Sequence, residues 1–128
     1  GKSTIAKAVA EKLAIDYIKQ KYQDGLEFLW EKFDDNAVCR RKDNKKWYAL
    51  FTKVSPSFFG MNGAEKFEVL ILRTELDDAT KLFDKKIFFP AYHMNKKNWF
   101  SVLLDSKISP ERIFDLIDKS YLKAGKKT

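Results

Sequence analysis

The chain has 128 residues, of which 45% are hydrophobic and 34% are charged, so it suits a single packed domain and not a disordered chain. Its formal net charge of +7 favours an anionic partner, and its one cysteine excludes an internal disulfide. No apolar run reaches the roughly 20 residues that span a bilayer. We therefore expect a cytoplasmic protein without membrane association, with a monomer favoured.

The first twenty or so residues are predicted to be helical, but their apolar side chains do not share one face. Ile5 begins one apolar stripe, whereas Ile15 begins a second stripe on roughly the opposite side of the helix. This change of phase predicts either an interrupted helix or a helical appendage. In the second case the appendage covers residues 1–14 and a single domain covers residues 15–128.

The amino-terminal residues also contain part of a nucleotide-binding motif. They read Gly1-Lys2-Ser3-Thr4, and the helix after them resembles the one that follows the phosphate-binding loop in small P-loop kinases. A working loop needs G-x-x-x-x-G-K-[ST] after a strand, because its backbone amides wrap the phosphates. The first glycine and the strand are absent. We interpret this segment as a truncated kinase-like helix and expect no phosphoryl transfer.

A short amphipathic helix is predicted next. Asp24 and Glu27 have the spacing of a capping box, which commonly starts a helix. The apolar stripe that follows consists of Leu26, Leu29, Trp30 and Phe33. Acidic residues at positions 34 and 35 are interpreted as the end of this helix.

From position 37 the pattern changes to strands. Strands are predicted at 37–41 and 47–54, and the residues between them, Lys42-Asp43-Asn44-Lys45, have the chemistry of a hairpin turn. Alternation along the second strand places Trp47, Ala49 and Phe51 on one face. The two segments are therefore expected to form an antiparallel hairpin.

The remaining elements complete an α+β pattern. In order, they are a mobile connection at 55–65, a strand at 66–73, a helix capped by Thr74 or Asp77, an extended segment at 88–94, a turn at 95–98 and a strand at 99–104. The last helix starts at Ser109, its cap, with Pro110 in the first helical position, and Gly125 ends it. Helices at both ends of hairpin-connected strands indicate a compact, largely antiparallel sheet flanked by helices.

No catalytic constellation is visible. Cys39 and His93 are the only candidates for thiol chemistry, and nothing in their spacing brings them together. One His and one Cys cannot supply the three or four ligands of a zinc site. Acidic residues near position 77 are better explained as helix caps. We therefore predict no catalytic residues, no metal site and no cofactor.

Basic residues are concentrated in two turns that also carry amide side chains. Cations at hairpin tips can neutralise phosphates, while amides can reach base edges, which is what a nucleic-acid-binding surface needs. The candidate nucleic-acid-binding residues are Arg40, Arg41, Lys45, Lys46, His93, Asn95, Lys96, Lys97 and Asn98. A simpler reading, that these lysines are solvated turn residues that discourage aggregation, is equally compatible with the sequence. The tryptophans beside the turns are expected to be core residues.

Several blocks, in order, resemble the MmcQ/YjbR-like family of bacterial proteins. They are Glu27 to Phe33, Asn36 to Arg41, Asn44 to Ala49, Ile117 to Tyr121 and above all Pro90-Ala91-Tyr92-His93-Met94-Asn95-Lys96-Lys97-Asn98-Trp99. The resemblance covers about residues 15–123. It implies a CyaY-like α+β fold and a DNA-binding role through a double-wing arrangement, and it implies no catalytic residues.

The leading hypothesis is a non-enzymatic DNA-binding module that uses the basic hairpin tips. The alternative is a protein-interaction or small-ligand-binding domain without catalysis. That alternative would use the groove between the sheet and the final helix, near Tyr92, Trp99 and Tyr121.

Overall fold

The computed structural model describes residues 2–29, 36–74, 83–84, 86–92, 94 and 97–125, with side chains from residue 10 onward. The elements are α1 (Lys2–Tyr22), β1 (Ala37–Arg40), β2 (Trp47–Val54), a 3-10 turn (Pro56–Phe59), β3 (Phe67–Arg73), β4 (Phe88–Pro90), β5 (Trp99–Leu103) and α2 (Pro110–Gly125). The strands form one antiparallel sheet in the order β1-β2-β3-β5-β4. The predicted α+β class is confirmed.

Both terminal helices pack on one face of the sheet. Ala14 and Ile18 of α1 and Ile113 and Ile117 of α2 are buried there with residues of β2, β3 and β5. The opposite face has its own apolar cluster, which includes Phe59 of the 3-10 turn. Because both faces are covered, the strands read as nearly continuous apolar runs, and this is why the predictions for β3 and β5 succeeded.

The first helix is continuous. It extends from Lys2 to Tyr22, so the change of apolar phase is not a break in the helix. The assignment of residues 1–14 to an appendage stays a prediction. At the other end of the chain, α2 begins as expected, because the amide of Arg112 donates to Oγ of Ser109 at 3.2 Å.

The prediction of an amphipathic helix after Asp24 is wrong over residues 25–29, which are not helical. Glu27 instead forms an antiparallel bridge with Val38, with both N–H···O distances at 2.9 Å. Asp24 is buried, and its carboxylate accepts hydrogen bonds from Tyr48 Oη at 2.5 Å and Lys42 Nζ at 2.6 Å. Asp24 therefore bonds to distant residues of the hairpin and does not cap a helix of its own segment. The rest of this predicted helix, and residues 75–82 of the helix predicted after Thr74, lie outside the described residues.

A β-bulge changes the expected face of Trp47. Cys39 pairs with Ala49 but Arg40 pairs with Trp47, so Tyr48 is an extra residue in β2. Tyr48 and Ala49 both pack on the helix side, whereas Trp47 packs with the opposite cluster. The prediction that Trp47 shares a face with Ala49 and Phe51 is therefore wrong.

A serine from α2 bridges β2 and β3 beside the bulge. Ser120 is completely buried, and its Oγ donates to the carbonyl oxygen of Tyr48. Oγ of Ser120 also accepts a hydrogen bond from the amide of Arg73 at 2.8 Å. The Tyr48 carbonyl and the Arg73 amide thus share one hydroxyl as their hydrogen-bond partner, and this contact fixes α2 to the start of β2 and the end of β3.

The segment predicted as a mobile connection, 55–65, contains the 3-10 turn, which is followed by Gly60 with a φ of 73°.

Candidate nucleic-acid interface

The two basic turns lie at the same end of the sheet. The first tip, residues 41–46, leads into Trp47 at the start of β2, and the second tip, residues 91–98, leads into Trp99 at the start of β5. The start of β2 lies beside the end of β3, and Arg73 at that end pairs directly with Trp99. We call this the tip end of the sheet. The opposite end, which carries the 3-10 turn, is the far end.

Arg41 in the first tip is engaged with the protein itself. Its Nη1 donates to the carbonyl of Tyr121 at 2.8 Å, and its guanidinium lies 4.0 Å from the centre of the Tyr121 ring. Two further hydrogen bonds, of 2.9 and 2.8 Å, join it to Asp43, which keeps the pKa of that carboxyl at about 2. With 14% of its side chain exposed, Arg41 connects the hairpin to α2, and its role in phosphate binding stays a prediction.

Lys42 and Asn44 fasten the same tip to both helices. Lys42 Nζ donates to the carbonyls of Tyr22 and Gln23, at 3.0 and 2.6 Å, where α1 ends. Asn44 Nδ2 donates to the carbonyl of Ala124 at 2.9 Å, near the end of α2. Carbonyls in the last turn of a helix lack intrahelical partners, so these side chains cap both helices. The first tip is therefore fixed in position.

Arg40 is paired with a carboxylate. Its Nε donates to Glu27 at 2.8 Å, and its Nη2 contacts the other carboxylate oxygen. Hydrogen bonding from Arg40 lowers the pKa of Glu27, and the charge of Lys45 contributes in the same direction. The carboxylate offsets part of the charge of Arg40, whose predicted phosphate contact stays a prediction.

Lys45 and Lys46, like Lys42, are exposed cations of the first tip. Lys45 adopts the left-handed conformation, with a φ of 64°, and its amide donates to the carbonyl of Arg41 at 3.0 Å. The amide of Lys46 donates to Oδ1 of Asn44 at 2.9 Å. The turn is thus held by hydrogen bonds that its backbone amides donate, while both lysine side chains are exposed.

In the second tip, the structure describes two of the candidate residues. Lys97 and Asn98 are exposed, and the carbonyl of Asn98 accepts the amide of Thr74 at 2.7 Å. This bond ties the second tip to the end of β3. His93, Asn95 and Lys96, which were also predicted to bind nucleic acid, lie outside the described residues. The described candidates at the tip end that are also exposed are thus Lys45, Lys46, Lys97 and Asn98.

Arg73 is a tip-end cation that sequence reasoning missed. Its guanidinium lies 4.5 Å from the centre of the Trp99 ring, and its Nε donates to the carbonyl of Trp47. It stands on β3, between the two strands that the tips precede. The sequence places Arg73 at the end of an apolar strand. Its contact with Trp99, however, follows from the strand register, which the sequence pattern does not reveal. Trp99 is 6% exposed and belongs to the core, as expected.

A polar cleft of about 230 Å³ adjoins the first tip. It is lined by the chain after α1 and by the start of the hairpin, and its residues include Gln23, Asp24, Glu27, Arg40, Lys42 and Lys45. Its acidic side chains are paired with Lys42 and Arg40. The groove expected beside Tyr121 is occupied there, because the Tyr121 ring stacks on Tyr22 at 3.8 Å and lies under Arg41.

The thiol of Cys39 is not poised for nucleophilic chemistry. Cys39 is 1% exposed, and burial, with smaller contributions from Asp24 and Glu27, raises its pKa to about 12. A thiol with this pKa stays protonated at neutral pH. His93, the other residue considered for thiol chemistry, lies outside the described residues. Among the residues that the structure does describe, no helix is both long and apolar enough to cross a membrane.

Comparisons with known proteins identify relatives of the whole domain. A family model described as YjbR matches residues 20–123. The chain is 31% identical over 105 residues to the uncharacterized protein YyaQ of Bacillus subtilis (strain 168), covering 82% of this chain and 89% of YyaQ. The match agrees with the resemblance inferred from the sequence blocks.

Solved structures share the fold. A crystal structure of a Pseudomonas syringae protein is 37% identical, with a TM-score of 0.83, covering 88% of this chain and 97% of that one. A solution NMR structure from the same organism, also 37% identical, has a TM-score of 0.78 and covers 89% of this chain and 91% of that one. A Deinococcus radiodurans protein with a DUF419 domain is 22% identical, has a TM-score of 0.67, covers 88% and 75% respectively, and supports the fold alone.

Proposed function

Because the chain belongs to the YjbR family, we propose that it is a non-enzymatic DNA-binding module that contacts phosphates through the tip end of its sheet. The observation that carries this proposal is the strand register, by which the two basic turns lie at one end of the sheet, on either side of β3. Family membership supports the proposal through the implied double-wing arrangement, and the chain's net charge of +7 favours an anionic partner.

The spacing of the two tips suits a duplex. β2 and β5 are both neighbours of β3, so the turns before them emerge about 10 Å apart, twice the usual distance between strands. This distance corresponds to about three base pairs at roughly 3.4 Å each. Two cationic turns with that separation can contact phosphates of one duplex at the same time.

Within this proposal, the phosphate contacts are assigned to the exposed lysines of the two tips. Arg40 and Arg41 are paired with carboxylates, so they contribute less to phosphate binding than exposed cations do. Lys45 and Lys46 supply the phosphate contacts of the first tip. Lys97 supplies one from the second tip, and the Asn98 amide is placed to reach sugar or base edges.

Binding of a small polar ligand is the second candidate. It is favoured by the cleft of about 230 Å³ beside the first tip, where paired acidic and basic side chains face a shared space. A ligand there would shift NMR signals of Gly25 and Leu26, which line the cleft, and would leave the second tip unchanged. Docking of a protein partner would instead shift the NMR signals of residues over a broad surface.

The test of the DNA proposal is a titration of labelled duplex by fluorescence anisotropy, with salt varied from about 50 to about 200 mM. The variant Lys45→Ala/Lys46→Ala is compared with Lys66→Ala/Lys107→Ala. The control pair removes the same charge from exposed positions at the far end, just before β3 and after β5.

Each phosphate contact contributes about 0.9 to the slope of log affinity against log salt, so loss of two contacts lowers its magnitude by about 1.8. We expect this change for the tip variant and little change for the far-end control. Absence of binding by the unmodified protein at low salt, or equal losses in the two variants, would refute the proposal.

A further inference from the structure

The end of β3 places an arginine against an aromatic ring. Arg73 and Trp99 are directly opposite each other in an antiparallel pair, so their side chains share one face of the sheet. The guanidinium accordingly lies 4.5 Å from the centre of the indole. Such stacking orients a guanidinium while leaving its N–H edge available for a ligand.

Three contacts hold this arginine in place. Its amide donates to Ser120 Oγ at 2.8 Å, its Nε donates to the Trp47 carbonyl, and its planar group rests on Trp99. The two Nη groups take part in none of the hydrogen bonds found within the described residues. Arg73 therefore presents a fixed pair of donors at the tip end.

Arg73 differs from the other tip-end arginines in its electrostatic environment. Arg40 and Arg41 face carboxylates, whereas no carboxylate in the described part of the chain pairs with Arg73. Its side chain is partly buried, and this burial lowers its pKa. A partly desolvated charge without a counter-charge is unfavourable, so an anion bound at this position would offset that cost.

We propose that Arg73 binds one backbone phosphate of the DNA through its two Nη groups, at the centre of the surface between the two tips. The inference rests on the proposed function and assigns its central contact. Lys45, Lys46 and Lys97 are exposed on the turns on either side, where they raise the local positive potential. A planar, preoriented guanidinium matches two phosphate oxygens, which a lysine cannot do.

The test replaces Arg73 with lysine, which keeps the charge and removes the paired donors. Arg112→Lys is the matched control, because Arg112 also stacks on a ring, that of Phe88 at 5.5 Å, near the start of α2. The end of α2 packs on the first tip, so its start lies toward the far end. Duplex affinity is measured for both variants, together with the salt slope and near-ultraviolet circular dichroism.

We expect Arg73→Lys to weaken duplex binding about tenfold with nearly the same salt slope, because a charge remains but the bidentate contact is lost. Arg112→Lys should bind like the unmodified protein. If the unmodified protein binds duplex and Arg73→Lys binds equally well, the assignment of Arg73 is wrong while the proposed function stands. If the unmodified protein binds no duplex, both are wrong.

Two further measurements separate loss of DNA binding from loss of folding and from binding of other anions. If Arg73→Lys loses its native circular dichroism, the side-chain Nε–H signal of Arg73 in the unmodified protein is followed by NMR during addition of duplex. A shift of that signal, without one for Arg112, supports the assignment, and an unchanged signal refutes it. Poly-glutamate that competes as well as DNA would also overturn the proposal, because the site would then recognise carboxylates.

Discussion

Asp118 joins the two terminal helices and offers a sharp test of how they are held together. Its carboxylate accepts hydrogen bonds from Tyr17 Oη at 2.6 Å, Tyr22 Oη at 2.5 Å and Lys21 Nζ at 2.9 Å. All three donors belong to α1, whereas Asp118 is in α2. We predict that Asp118→Ala destabilises the fold, because these three hydrogen bonds between α1 and α2 are lost.

The magnitude follows from the two tyrosine contacts. A hydrogen bond to a charged group contributes about 1.5 to 3 kcal/mol, but 27% of the Asp118 side chain is exposed, so water replaces part of the loss. Alanine also favours the helix by about 0.5 kcal/mol. The expected net loss is about 2 to 3 kcal/mol in the free energy of unfolding, measured by urea denaturation as a midpoint shift of about 1 M or more.

Asp115→Ala is the matched control, because it makes the same change in the same helix. Asp115 pairs only with Lys119 among the described residues, at 3.1 Å, and the two side chains are 58% and 70% exposed. We expect its effect to stay within about 0.5 kcal/mol. Equal losses from the two substitutions would contradict the role assigned to Asp118.

The effect of Asp118 should depend on pH. Burial tends to raise its pKa, but the hydrogen bonds from Tyr17, Tyr22 and Lys21 together outweigh burial and lower it. A lowered pKa means that the stabilisation is complete above the unfolded value of about 3.9 and is lost as pH falls through the folded value. The difference between the unmodified protein and Asp118→Ala should therefore shrink below about pH 4. An undiminished difference in stronger acid would refute a contribution from the carboxylate charge.

Three further predictions concern the bulge, the first tip and the thiol. Ser120→Ala should cost about 2 kcal/mol in urea unfolding, because it leaves the Arg73 amide and the Tyr48 carbonyl without their shared partner, whereas exposed Ser57→Ala should not. Arg41→Ala should lower the thermal midpoint by about 5 °C and reduce DNA affinity less than the Lys45/Lys46 variant, since Arg41 clamps α2; the reverse order would assign it to binding. Ellman's reagent near pH 8 should label Cys39 only in denaturant, because burial raises its pKa to about 12, and rapid labelling of the native protein would contradict this.

The strands and the last helix could be predicted because local patterns specify them. Apolar runs bounded by turn residues located β2, β3 and β5, and Ser109 before Pro110 located the start of α2. The segment after α1 was misassigned because Asp24 has the spacing of a helix cap but bonds to the hairpin, through Lys42 and Tyr48. Local spacing carries no information about such distant partners.

The candidate site was only partly predictable for the same reason. In the sequence, Arg41 resembles Lys46, yet only Arg41 contacts Tyr121, which lies 80 positions further along the chain. The face of Trp47 was missed because one extra residue in β2 reverses the alternation. Arg73 acquires its significance from Trp99, a cross-strand neighbour that only the register identifies.

DNA binding at the tip end can be tested by an NMR titration of the unmodified protein with duplex DNA at low salt. We expect chemical-shift changes to concentrate on amides of the tip end, at residues 44–47, 73 and 97–99. Amides at the far end, near Lys66 and Lys107, should remain unchanged. Shifts confined to the far end, or to the cleft residues Gly25 and Leu26, would show that the tip end does not bind the duplex.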